Sequence, residues 1–373
     1  MSVGQVQVNH VNLVQGGFDE IERQVLFIGT AAITDNDGTI IPVSNESDLD
    51  VLLGAADSDL KTQVVAARDN AGQNWQASIA PIVEGTDWRL ALDMAMQQNA
   101  KVEMVAVCTP VVDQAAVDAA YAKTMEILGT YQRFLIIGLA VSGIDATPVT
   151  GETWAEYIAR INPVTSGAAA NRVFVVPQLH GNNLGVLMGR LCNRAASIAD
   201  TPMRVITGAL VGLGDEPTDI DGVPLDMAHL KALDQARFSV PQWYPDYPGT
   251  YWADCNLLDI PAGDFQVIEH MRVLDYLARR VRVLAIARVA DRKLNRTAAS
   301  IEFNKTYFQR PLREASKSTK FKGVPFPAMI LPPLPDDIAI VWTNSTDVQV
   351  YISAQPYNCP KKITVNLMLD LTN

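Results

Sequence analysis

The sequence has no CxxC pair. Its four cysteines, Cys108, Cys192, Cys255 and Cys359, stand far apart in a chain of 373 residues. That spacing excludes a CxxC metal or thiol-redox motif. Sparse, scattered thiols suit a reducing cytoplasm, and Cys108, inside an apolar run, reads as a buried thiol. Long apolar runs are also missing. Stretches such as 134–141 fall far short of the ~18 residues that span a bilayer, so no membrane insertion is expected. The opening MSVGQVQVNHVN has neither a basic start nor an apolar stretch of signal length. The expectation is a protein made and kept in the cytoplasm unless a larger particle carries it out.

Catalytic signatures are absent as well. There is no GxxxxGK followed by Ser or Thr, no GxGxxG after a strand, no GxSxG and no HExxH. A P-loop, a dinucleotide fold with its usual fingerprint, a nucleophile elbow and a zincin site are therefore not expected. The histidines His10, His180, His229 and His270 are scattered, with no second His or Cys at ligand spacing. The acidic group Asp215, Glu216, Asp219 and Asp221 lacks the spacing of a calcium loop and reads as a solvated loop. No catalytic residue, metal ligand or cofactor is assigned. Charged residues make up only 19% and hydrophobic residues 48%, which describes a folded chain and leans toward burial among copies of itself. A net charge of -11 argues against direct nucleic-acid binding over the whole surface.

What is present is an alternation of buried-strand and helix patterns. Strands are expected at 24–31, 78–83, 102–107, 133–140 and 172–178. Helices are expected at 48–70 (broken near 55–58), 88–99, 114–131, 153–161 and 183–198. This pattern predicts an α/β fold, a mostly parallel sheet flanked by helices. It stops after Val211. An acidic loop follows at 214–228, then six aromatics in fifteen residues: Phe238, Trp243, Tyr244, Tyr247, Tyr251 and Trp252. Prolines interrupt them, so they cannot form one regular element. They read as a packed irregular segment lining the core, with a ligand or partner surface as the alternative.

A long helix is expected at 265–294, with Val267, Met271, Leu274, Ala278, Val281 and Ala285 as its apolar stripe. Arg272, Arg279, Arg280, Arg282, Arg288 and Arg292 come from the same stretch, and Arg272, Arg279, Arg282 and Arg288 fall mostly off the stripe. From Arg272 to Lys322 the chain carries fourteen basic and four acidic residues inside a protein of net charge -11. Concentrated charge of one sign tends to face a partner of the other. Beyond a proline-rich connection, Ile338, Ile340 and Trp342 alternate, as do Val348, Val350 and Ile352. A last alternating run comprises Ile363, Val365, Leu367, Leu369 and Leu371, and a weaker one Val6, Val8, Val11 and Leu13. Strands of this kind at chain ends need a sheet to join.

Three stretches of the second half together resemble the contractile tail sheath proteins of bacteriophages, a family shared with R-type bacteriocins and type VI secretion sheaths. They are 200–212 (DTPMRVITGALVG), 230–258 (LKALDQARFSVPQWYPDYPGTYWADCNLL) and 265–295 (FQVIEHMRVLDYLARRVRVLAIARVADRKLN). Ala253-Asp254 stands where a Gly is usual, and Asn256 where an Arg is common. The resemblance implies a non-enzymatic structural subunit of the virion tail, assembled in the host cytoplasm. Its terminal strands would join neighbouring copies into a helical homopolymer around a tail tube. The expected organisation is an N-terminal arm at 1–20, an α/β domain at 21–213, a C-terminal α+β sheath domain at 214–360 and a C-terminal strand arm at 361–373. The six arginines would face an acidic tail tube protein, and baseplate and tail terminator proteins would be further partners. Alternatives are an α/β enzyme using His180 and the aromatic segment, or another tail or baseplate component.

Overall fold

The structure, a computed structural model, describes residues 21–368 apart from Lys322. Its first half alternates in the order β1 (Val25–Gly29), β2 (Ile41–Ser44), α1 (Leu49–Leu53), α2 (Asp59–Ala71), β3 (Gln76–Pro81), α3 (Trp88–Gln97), β4 (Met104–Val111), α4 (Gln114–Tyr131), β5 (Ile136–Val141), α5 (Trp154–Thr165), β6 (Val173–Pro177) and α6 (Asn183–Cys192). The six strands form one sheet in the order β2-β3-β1-β4-β5-β6, parallel except for β2.

Both faces of the sheet are covered, which is why its strands read as continuous apolar runs. Along β1, Leu26 and Ile28 join one core, with residues of α3, α4 and α5. Val25 and Phe27 join the other, with Leu60 and Val64 of α2 and Leu184 and Leu187 of α6. Helix starts follow their caps. Asp48, Ser58, Asp87 and Asp113 each accept a backbone N–H, and Thr153 with Glu156 forms a capping box. Gly185 and Gly189 of α6 lie against the α2 backbone at Gln63 and Ala67, where a Cβ would collide. The two helices therefore cross at backbone contact, and the Gly185 amide donates to Gln63 Oε1 at 2.6 Å.

The expected alternation is present, including the break between α1 and α2. The edge strand β2 was not anticipated. Its four residues contain Pro42, which an edge tolerates and a central strand does not. The helix expected to reach residue 198 stops at Cys192.

The aromatic segment forms a hairpin, β7 (Pro241–Tyr244) and β8 (Tyr247–Trp252), preceded by α7 (Met227–Gln235). Phe238, Tyr251 and Trp252 are buried, whereas Tyr244 and Tyr247 are exposed. Residues 214–258 pack on the α/β body. The Ser239 amide donates to the Val175 carbonyl at 2.9 Å and the Leu258 amide to the Val173 carbonyl at 2.9 Å.

The rest comprises α8 (Ile268–Ile286), α9 (Ala298–Phe308), α10 (Arg310–Ala315), the short pair β9 (Thr319–Phe321) and β10 (Val324–Phe326), and the hairpin β11 (Ile338–Trp342) and β12 (Val348–Ile352). Helix α8 is shorter than expected and is buried on two sides near its start. Ile268 and Met271 enter a core of the α/β body. Val273 and Leu277 meet Leu312 and Ala315 of α10. A single stripe is therefore not the right description. The helix is a joint between two packed units, and each takes its own face.

Candidate intersubunit surfaces

The joint is made by charge as well as by apolar contact. Arg272 is 1% exposed. It grips Glu103, the residue before β4, at 2.8 and 2.9 Å, and donates to the Leu191 carbonyl at 3.0 Å. Asp275 is paired with Arg172, just before β6, by two bonds of 2.8 Å. Arg279 and Arg280 both reach Glu22, just before β1, at 2.9 and 3.2 Å. Helix α8 thus lies across the end of the sheet where the parallel strands begin. Burial alone would raise the Glu103 pKa, but the Arg272 charge and its hydrogen bonds hold it below the usual carboxylate value. For Asp275 burial prevails and its pKa is raised despite Arg172.

These contacts correct the reading of one tube-facing basic row. Arg272 is sealed inside the subunit, and Arg279 and Arg280 are committed to Glu22. Arg280 also lies 3.3 Å over the Tyr276 ring. Arg288 pairs with Asp291 at 2.7 Å and stacks 4.0 Å over Tyr307. Arg282 and Arg292 remain exposed. Arg282 adds to the burial that depresses the pKa of neighbouring Arg133, so two cations share that groove. The fourteen-residue basic count foretold an excess of charge, but not which guanidiniums find carboxylates in the same chain. Glu22, Glu103 and Asp275 are too dispersed in sequence to signal it.

The C-terminal hairpin is the second surface. Its register pairs Ile338 with Ile352, Ile340 with Val350 and Trp342 with Val348, the alternation expected from the sequence. One face buries Ile338 and Ile340 against Phe308 and Leu284. The other exposes Val341 and Tyr351. The sheet has only these two strands, so among the described residues neither outer edge is paired. Beyond β12 the chain runs antiparallel to 329–331. The Leu331 amide donates to the Gln355 carbonyl at 2.8 Å and the Tyr357 amide to the Met329 carbonyl at 3.2 Å.

The expected C-terminal strand then leaves the body. Ile363, Val365, Leu367 and Met368 are 76%, 75%, 94% and 92% exposed, with no strand assigned over 363–368. Leu369 and Leu371, and the N-terminal positions Val6, Val8, Val11 and Leu13, lie outside the described residues.

An enzymatic centre gains little from the geometry. His180 does sit beyond the end of β6. Its amide donates to Asn183 Oδ1 at 2.7 Å, its ring meets Asn183 Nδ2 at 3.2 Å, and burial lowers its pKa. It lines a cavity of about 280 Å³ with Glu216, Trp243 and Thr250. In a doubly wound sheet the favoured ligand crevice lies where strand order reverses, here between β1 and β4. At that point Gly29 packs so closely that its Cβ would lie 2.9 Å from that of Cys108. Asp219 is a structural cap. Its Oδ1 accepts from the Asp221 and Val223 amides at 3.0 and 2.8 Å. Among the described residues no three His, Cys, Asp or Glu gather as metal ligands, and no helix is long and apolar enough to cross a membrane.

Residues 3–256 match a family described as DUF2586, N-terminal domain, and residues 264–372 match DUF2586, C-terminal domain. The chain is 45% identical over 369 residues to a protein of Haemophilus phage HP1 named "Putative tail sheath protein", with 98% of each covered. Among solved structures it resembles the contracted sheath complex of the extracellular contractile injection system PVC, with TM-score 0.61, 12% identity, and 100% and 98% of the two chains covered. The contracted helical sheath of the anti-feeding prophage gives 0.58 at 14% identity, covering 99% and 100%. A sheath tail protein from Listeria innocua gives 0.57 at 10% identity, covering 90% and 92%.

Proposed function

The chain belongs to the DUF2586 family and, with it, to the contractile tail sheath proteins, and from that premise we propose that it polymerises helically around a tail tube by exchanging terminal strands and contracts to drive the tube through the host envelope. It is a phage tail component related to contractile injection system sheaths. The named relatives are structural proteins, which points away from catalysis.

One observation carries the reading. The same subunit offers a two-stranded sheet with open edges and an alternating apolar segment that it leaves unburied. A donated strand supplies main-chain hydrogen bonds to such an edge, and its alternating side chains fix the register. Donor and acceptor are different surfaces, so the contact is heterologous and propagates as a filament. In this reading 1–20 and 361–373 act as arms, 21–213 as the α/β domain and 214–360 as the sheath domain. The tube-facing patch narrows to Arg282 and Arg292. Exposed ion pairs of ~0–1 kcal/mol each would hold an acidic tube yet break during contraction. Baseplate and tail terminator proteins would cap the ends, and assembly would take place in the host cytoplasm. During contraction the rigid bodies would rotate while the arms stay joined.

Negative-stain microscopy of the purified chain tests this. Long tubes with a helical repeat are expected. Uniform, closed particles of a few subunits would contradict it.

A further inference from the structure

Beyond the Tyr357–Met329 bond, the chain before the exposed segment is held by the Lys361 side chain. Lys361 Nζ bonds Asp254 Oδ2 and reaches Glu269 Oε1 at 3.0 Å. Among the described residues, none beyond Lys361 makes a hydrogen bond or an ion pair. The receiving carboxylates belong to different elements. Asp254 follows β8, and its Oδ1 accepts from the Cys255 amide at 3.0 Å and from Thr201 Oγ1 at 3.5 Å. Glu269 lies in the first turn of α8 and is buried, and its second oxygen, Oε2, has no donor. Lys361 is therefore the cation that offsets a buried, half-satisfied carboxylate, which is an expensive group to leave alone. Half-buried His270 and Cys359 complete the surroundings. Burial, then the Lys361 charge, disfavours the protonated form of His270.

We propose that Lys361 is the anchor of the C-terminal arm: held between Asp254 and Glu269, it sets the point where the arm leaves the subunit and passes the arm's pull into α8. The inference rests on the arm reading above and deepens it. Glu269 is one turn from Arg272, which holds Glu103 at the end of the sheet where the parallel strands begin, and Asp275, which holds Arg172, follows on the same helix. A pull on residues 363–368 thus arrives at the sheet through a helix and its buried ion pairs. Among the described residues, the exposed segment has no other hydrogen bond or ion pair. Lys362, adjacent and exposed, shares none of these contacts and is a built-in control.

Hydrogen exchange on the dispersed full-length chain tests the anchor without requiring polymer. In Lys361→Met, the Tyr357 amide, which donates to the Met329 carbonyl, is expected to exchange about tenfold faster or more, since the chain just beyond it loses its fastening. Lys361→Arg should restore most of the protection, and Lys362→Met should match wild type. If Lys361→Met loosens the whole fold, Lys361→Met with Glu269→Gln removes the stranded charge and should still speed exchange at Tyr357. Equal exchange in Lys361→Met and Lys362→Met would overturn the anchor. Absence of tubes from the wild-type chain would instead overturn the arm reading, and the exchange result would stand apart from it.

Discussion

A chain ending at residue 362 is expected to fold normally and to form no tubes. Residues 363–368 make no hydrogen bond within their own subunit and expose their apolar side chains almost fully. In the arm reading, their removal takes away contacts with other copies, while within the subunit residues 363–368 give up no hydrogen bond or ion pair. Changes at surface positions of this kind stay within about 0.5 kcal/mol, so the melting temperature should shift by no more than a degree or two. Assembly should fall from tubes to dispersed subunits, an all-or-none change visible by microscopy and by sedimentation. A chain shortened in this way that melted far below wild type would place the last strand in its own core.

The largest loss of stability is expected at Arg272→Ala. The guanidinium is enclosed and satisfies both oxygens of Glu103 as well as the Leu191 carbonyl. Deleting it strands a buried carboxylate, which costs about 3–5 kcal/mol. Arg282→Ala, at an exposed arginine ten residues along the same helix, should cost within ~0.5 kcal/mol. Replacing both partners, as in Glu103→Leu with Arg272→Met, should recover much of the loss, because an apolar pair leaves no orphaned charge. Acid gives a second readout. The folded-state pKa of Glu103 is held below its ordinary 4.5. Its stabilisation is therefore complete above the unfolded-state value and is lost as pH falls through the folded one. Glu103→Gln should be less stable at neutral pH and should lose less on acidification. Chemical denaturation of each variant at pH 7 and near pH 3 checks both statements.

The α/β body was legible because its signals are local. Val25–Gly29 and Ile136–Val141 are apolar runs buried on both faces. The hairpin of Ile338–Trp342 and Val348–Ile352 was legible for the same reason, since a period of two needs no partner to be seen. The long helix was only half legible. Periodicity found Met271, but Ile268, Val273 and Leu277 are buried because two units close on α8 from different sides. Arg272 looked like surface because its partner, Glu103, is 169 residues away. The Lys361 anchor left no trace in sequence for a similar reason. Asp254, Glu269 and Lys361 are ordinary charged residues until the fold brings them together. Strand β2 escaped because a four-residue edge strand containing Pro42 has little pattern to offer.

Whether the terminal strand is donated to another copy can be read from one cross-linking measurement. A chain carrying Val365→Cys and Tyr351→Cys is assembled from equal parts of unlabelled and nitrogen-15-labelled subunits, then treated with a short bifunctional thiol reagent. Donation in trans is expected to give cross-linked peptides joining residue 365 to residue 351 with mixed isotopes, in about half of the pairs. Pairs that are all light or all heavy would mean that the strand folds back on its own hairpin, and the subunit would have lost the joint on which its polymer depends.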